Sequence, residues 1–263
     1  MEEREAEILR ASLRCPACGV RAMVEEGIGA FLPGDAEPAG TFPDSTPRRP
    51  AETTRLEVAG GSNGSGRADE IARVVESLAD APEPIVQFLS GSAEVARALL
   101  QRGDRRPVVS DGSWSDLREL GGAWTGSGIP PRWDALAFEI HSMPFSDRSL
   151  GTAVVDLALQ GVPGTHVVLR ELRRVVRGRL YATVGFVAPE DEENRRWLRA
   201  RGLEAMFLEE RCLRAFRRAG WTARLEHSEE RPVTPAEHGG GDPEAEGFPF
   251  RTTSIRRGLL IAE

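Results

Sequence analysis

The sequence predicts an α/β protein built on a doubly wound, mostly parallel sheet, and three observations carry that expectation. From Ile85 onward, short apolar runs rich in β-formers alternate with runs of helical periodicity. The helical runs stop at turn residues such as Gly103 and Gly220. The last two strand-like runs follow one another without a helix, which suggests an antiparallel hairpin at one edge. Sequential parallel strands need crossovers, and right-handed crossovers place helices on both faces of a twisted sheet. Such sheets bind ligands at the carboxyl ends of their strands.

The elements come in a regular order. A helix over 68–78 is expected from apolar Ile71, Val74, Val75 and Leu78, which share one stripe. A first parallel strand is expected over 85–89, with a helix over 93–101 behind it. A second strand, 107–109, precedes a helix starting near Ser115; a third strand covers 135–140. A fourth, 152–155, leads into a helix over 166–177, and a fifth spans 180–184. A helix over 208–218, with Leu208, Cys212, Ala215 and Phe216 on one side, precedes a strand over 221–225 and a closing strand over 258–262. The chain divides as an N-terminal unit over 1–34, a Pro-, Gly- and Ser-rich linker over 35–66, and a main domain over 67–263.

Composition narrows the chemistry. With 263 residues, 40% hydrophobic and 29% charged, the chain can bury a sizeable core, and a disordered or collagen-like polymer is excluded. All 34 basic residues are arginine, so no lysine Schiff base, lysine general base or phosphate-loop lysine exists. The net charge of −7 does not call for a nucleic-acid partner, and DNA in particular is not expected. Arginine clusters such as Arg195, Arg196, Arg199 and Arg201 are read as surface and structural groups. No apolar run approaches the length of a bilayer span, no membrane association is expected, and the three cysteines fit a reducing cytoplasmic compartment.

Several segments together carry a family resemblance. Residues 96–103, Ala-Arg-Ala-Leu-Leu-Gln-Arg-Gly, look like a first helix and its stop, and Val108-Val109-Ser110-Asp111-Gly112-Ser113 looks like a second strand ending in an acid. Met143-Pro144-Phe145-Ser146-Asp147-Arg148-Ser149-Leu150 is similar to a Leu-Pro-Phe-x-Asp-x-Ser-Phe link between third and fourth strands. Residues 157–163, 169–180 and 215–221 match later pieces in order and spacing. Over about Ile85 to Ala262 the chain resembles class I S-adenosylmethionine-dependent methyltransferases of the type 11 kind. That resemblance implies a Rossmann-like seven-stranded sheet with a terminal antiparallel hairpin, S-adenosylmethionine as cofactor, and methyl transfer to a small molecule or RNA.

The resemblance assigns the cofactor to Gln87, Gly91, Ser92, Asp111, Gly112, Glu139, Ile140 and Asp156. Asp111 would accept the ribose hydroxyls and Glu139-Ile140 would hold the adenine edge. The first turn departs from the family pattern: Gln87 replaces an acid, and Leu89 and Ala93 replace the outer two of three glycines. These departures admit a rival reading, in which the chain is a non-catalytic methyltransferase-like scaffold or partner subunit that has lost cofactor binding. Asp156, and Gln160 where the family often has histidine, face the cleft if the fourth strand is placed correctly, but no catalytic residue is readable. His141 and His166 are read as structural. Substrate would be covered by the segments 123–133, 185–196 and 229–251.

The N-terminal unit carries Cys15-Pro16-Ala17-Cys18-Gly19, which is similar to half of a short zinc ribbon. One Cys-x-x-Cys knuckle supplies two of the four ligands a tetrahedral site needs, so Cys15 and Cys18 form a half site and no complete zinc centre is expected within one chain. Sharing between two chains, and hence a homo-oligomer or protein partner, stays open. Similar ribbons precede some ribosomal RNA methyltransferases, which keeps RNA among the acceptors by analogy. The run 60–66, Gly-Gly-Ser-Asn-Gly-Ser-Gly, reads as a hinge.

Overall fold

The structure, a computed structural model, describes residues 10–14, 21–25, 27–31, 65–89, 93–103, 105–128, 133–233 and 251–263. Three short strands come first: β1 (Arg10–Arg14), β2 (Arg21–Glu25) and β3 (Ile28–Phe31). Helix α1 (Ser65–Ser77) precedes β4 (Ile85–Phe88), α2 (Glu94–Arg102), β5 (Val108–Asp111), α3 (Trp114–Gly126) and β6 (Asp134–Ala137). Then come β7 (Leu150–Asp156), a 3-10 turn (Leu159–Gly161), α4 (Thr165–Val175) and β8 (Val176–Val187). The chain ends with α5 (Glu192–Ala200), a second 3-10 turn (Glu204–Phe207), α6 (Glu209–Arg218), β9 (Ala223–Val233) and β10 (Thr253–Ala262).

The described strands form one ten-stranded sheet in the order β1-β2-β3-β6-β5-β4-β7-β8-β10-β9. From β3 through β8 every neighbouring pair is parallel, whereas β10 is antiparallel to both β8 and β9. The run from β6 to β9 is the expected seven-stranded sheet with its terminal antiparallel pair. The N-terminal hairpins are an addition to it: β3 pairs in parallel with β6, and β2 and β1 continue outward antiparallel.

Side chains alternate between the two faces, as the period of a strand requires. Val86, Phe88, Ala153, Val155, Leu180, Ala182 and Leu260 enter the larger apolar cluster, which α4 and α6 close with Leu169, Leu172 and Phe216. Ile85, Val154, Tyr181, Leu259 and Ile261 point the other way, beneath α1 and α2. Next to them, α2 and α3 cover Val109, Ala135 and Ala137 with Ala96, Leu100, Leu117 and Trp124. Each large apolar side chain so buried contributes roughly 1.5–3 kcal/mol.

Local signals fix the boundaries. Gly103 ends α2 in the left-handed region at φ 76°, its N–H bonding Leu100 O. The Ser113 hydroxyl accepts from Asp116 N at 3.2 Å and starts α3. Strands β8 and β9 run further than their apolar cores suggest, to Val187 and Val233, because β10 lies between them and pairs with both. Parts of the expected covering segments are therefore regular structure: 123–126 closes α3, 185–187 and 229–233 are strand, and α5 holds 192–196.

Candidate active site at the sheet's switch point

Strand order reverses between β4 and β7: the chain steps outward from β4 through β5 to β6, then returns to lay β7 on the other side of β4. Crossovers leave this point in opposite directions and open a crevice above the carboxyl ends of β4 and β7. Gln87, Asp111 and Asp156 stand at or near the carboxyl ends of β4, β5 and β7.

Gln87 is 1% exposed, and its Oε1 accepts from Ala96 N at 2.8 Å. Ala96 lies in the first turn of α2, whose N-cap residue, Ala93, offers no side-chain acceptor. Gln87 thus caps α2 from the neighbouring strand, a task a carboxylate would also perform with added attraction to the helix dipole. The amide keeps the geometry and leaves Gln87 Nε2 buried without a hydrogen-bond partner among the described residues. After it, Leu89 takes φ 53° and Ala93 φ 48°. Both positions where the family pattern has glycine retain a left-handed backbone although both carry a Cβ, at a cost of about 1–2 kcal/mol each. Leu89 is 8% exposed and belongs to the apolar cluster that also holds Phe138, Ile140 and Met143. Gly91 and Ser92 lie outside the described residues.

Asp111 is buried, and its main-chain carbonyl accepts from Phe138 N at 3.0 Å, which ties the β5 tip to the segment after β6. Gly112 beside it is exposed. Ile140 is buried, whereas Glu139 is exposed and turned toward His141: Glu139 Oε1 lies 2.5 Å from His141 Nδ1. His141 Nε2 lies 2.7 Å from the Pro163 carbonyl. Both neighbours are acceptors, so they favour the ring with both nitrogens protonated. Partial burial disfavours that charge, but Glu139 and Pro163 outweigh it and raise the His141 pKa above its ordinary 6.5. His141 therefore staples the segment after β6 to the β7–α4 connection. The adjoining link is held likewise: Arg174 donates to the Met143 and Phe145 carbonyls and to Asp147, while Glu171 accepts from Met143 N. Phe88, Phe138 and Phe145 stack edge to face beneath it, with centroids 5.3–6.5 Å apart.

Asp156 does not stand free in the cleft. One carboxylate oxygen accepts from Thr183 Oγ1 at 2.6 Å and the other pairs with Arg67 of α1. Arg67 also pairs with Glu94 at 2.9 Å, on the first turn of α2, and with Glu70 at 2.8 Å. Desolvation works against this guanidinium, but Asp156 and Glu70 more than offset it and hold it protonated. Arg67 and Glu94 thus join the site, and sequence reasoning did not find them, since Arg67 meets partners up to 89 positions away. Gln160 is spent: its amide bonds Gly185 N, Gly185 O and Met206 O. That saturated, 1% exposed group is a structural tie.

Elsewhere the arginine cluster and the buried cysteine serve the fold. Arg195, Arg199 and Arg211 converge on Glu204, and Arg201 lies over the Trp197 ring at 3.8 Å. Burial pushes the Cys212 thiol up to about 12, leaving it inert. Among the described residues no group of three or more His, Cys, Asp and Glu side chains could hold a metal ion, and Cys15 and Cys18 lie outside them. No helix among them is long and apolar enough to cross a membrane.

This architecture is the class I methyltransferase fold. Solved structures with it include YcgJ of Bacillus subtilis, 13% identical, with a TM-score of 0.57 over 74% of this chain and 97% of that one. A geranyl diphosphate methyltransferase solved with geranyl diphosphate and sinefungin is 16% identical, with a TM-score of 0.54 over 74% of this chain and 77% of that one. The [4+2]-cyclase SpnF is 17% identical, with a TM-score of 0.51 over 72% and 79% of the two chains. Among curated sequences, demethylmenaquinone methyltransferase of Thermotoga maritima is 29% identical over 111 residues, 41% of this chain and 46% of the relative. The match thus spans under half of that relative's length. No family model matches the chain.

Proposed function

We propose that the chain binds S-adenosylmethionine in the β4/β7 crevice and transfers its methyl group to an acceptor, a small molecule or RNA. The observation that carries this reading is the paired left-handed backbone at Leu89 and Ala93. Two non-glycine residues hold a left-handed backbone that glycine adopts without strain, and strain of this kind concentrates where a ligand is bound. The crevice residues suit the cofactor chemically. Asp111 offers a two-oxygen acceptor for a ribose diol. Gln87 Nε2 is a buried donor with no acceptor among the described residues. By the resemblance, Gly91, Ser92, Gly112 and Ile140 would also contact the cofactor.

When bound, the sulfonium supplies an electrophilic methyl carbon. The chain's contribution is then orientation and exclusion of water. Asp111 would fix the sugar, the Phe88, Phe138 and Phe145 cluster supports the crevice wall from below, and the His141 and Arg174 ties keep the segment after β6 in place. Asp156 and Glu94 hold Arg67 rather than act as bases. The likeness to demethylmenaquinone methyltransferase supports methyl transfer as the reaction class.

A second reading, the non-catalytic scaffold, is favoured by one observation: Leu89 is buried in the core cluster at a position that the glycine turn leaves open. Calorimetric titration with S-adenosylmethionine and S-adenosylhomocysteine separates the two. The enzyme reading expects saturable binding to the wild type and none to Asp111→Ala. Absence of heat at millimolar ligand, with the protein folded, would leave the scaffold.

A further inference from the structure

Helices α4 and α6 pack against each other and, with the 204–207 turn, enclose a groove of about 510 Å³. Arg170, Arg211, Arg214, Arg218 and His166 line it, and three alanines complete the lining. The placement follows from helical spacing: positions 166 and 170 are one turn apart on α4, and 211, 214 and 218 share one face of α6. None of these residues belongs to the β4/β7 crevice, so a ligand in the groove is independent of the methyl-transfer reading.

Most of the charges in this groove have no carboxylate partner among the described residues. Arg67, Arg174, Arg195 and Arg199 each pair with carboxylates, in a chain whose 41 acids outnumber its 34 arginines. In the groove only Arg211 has such a partner, Glu204 at 3.2 Å, and that carboxylate is already shared with Arg195 and Arg199. Arg170, Arg214 and Arg218 form no ion pair among the described residues. Guanidinium groups that line one groove repel one another unless an anion lies between them, and their planar forks match phosphate oxygens two at a time. A volume of this size suits a small ligand. An extended nucleic-acid track would need the basic surface to continue, but neighbouring Arg174 is neutralised by Glu171 and Asp147. The alanines offer apolar surface to the remainder of a ligand.

We infer that the α4–α6 groove binds a phosphorylated small molecule of at least two negative charges, held by Arg170, Arg214 and Arg218. The test is calorimetric titration of the full chain with inorganic pyrophosphate at about 0.15 M salt, where screening suppresses diffuse attraction. Saturable binding with Kd below about 1 mM is expected. It should weaken at least tenfold in the Arg214→Gln/Arg218→Gln double variant and stay unchanged in Arg217→Gln, a neighbour on α6 outside the groove. If the double variant does not fold, Arg170→Gln on the other helix makes the same test. Equal binding by wild type and groove variants overturns the assignment, as does no binding at all. An affinity for single-stranded RNA that climbs with oligonucleotide length and is lost in the same variants also overturns it, in favour of a nucleic-acid face.

Discussion

At Ala93 the chain holds an L-residue at φ 48° and ψ 39°, a conformation glycine adopts without strain. Ala93→Gly should therefore be neutral or stabilise the fold by up to about 1 kcal/mol, even though it deletes a buried methyl group. Ala98→Gly inside α2 should cost about 1 kcal/mol. Urea melts of the two variants check the contrast, and a loss at Ala93 as large as at Ala98 would contradict it. His141 makes a pH-dependent contribution. Its folded-state pKa is raised above 6.5, so its stabilisation is complete below that pH and is lost as the pH rises through the raised value. His141→Ala should lower Tm more at pH 6 than at pH 8.5, as differential scanning calorimetry would show. At this scale the sequence was legible where a strand tip carries its own signal, as at Asp111. Glu139 turns back on His141, two residues further on, and sequence order does not record which way a carboxylate turns.

Among the elements, β7 and β8 begin in crowded surroundings. A Cβ at Gly151 would lie 2.2 Å from the Pro82 carbonyl oxygen, and one at Gly178 would lie 2.3 Å from that of Gly151. Both contacts are with backbone, which cannot swing aside, so Gly151→Ala should cost about 3 kcal/mol or prevent folding. Gly122→Ala, with nothing within 4 Å, should not, and chemical denaturation distinguishes them. The link between α5 and α6 depends on Glu204, whose pKa is drawn from 4.5 to about 2, first by its hydrogen bond to Arg199 and then by Arg195, against the opposing effect of desolvation. A carboxylate depressed in the folded state stabilises above its unfolded pKa and loses that contribution as pH falls through the folded one. Thermal melts between pH 5 and pH 2 should fall more steeply for wild type than for Glu204→Gln. Helix α5 escaped the sequence reading because, of its apolar side chains, only Trp197 and Leu198 are buried, too few to show a period. β1, β2 and β3 escaped it because their place is set by pairing β3 with β6, more than 100 positions downstream.

Across the whole molecule, alternating strands and helices announced the doubly wound sheet, because burial on both faces forces each parallel strand to be apolar throughout. The switch point was legible only through the resemblance, since strand order is a property of crossovers and not of local composition. The charged cluster around Arg67 was not legible at all, being assembled from α1, α2 and β7. The same fold serves both a methyltransferase and a [4+2]-cyclase, so reaction class must be read from the crevice and not from the architecture. Should the crevice admit the cofactor, ligand at about 100 times its Kd would add roughly 2.7 kcal/mol of stability. The most direct measurement is an amide NMR titration with S-adenosylhomocysteine, following Gln87, Leu89, Ala93, Ala96, Asp111 and Gly112. Saturable shifts concentrated at these residues are expected. No shift there at millimolar ligand, or shifts confined to α4 and α6, would contradict cofactor binding at the switch point.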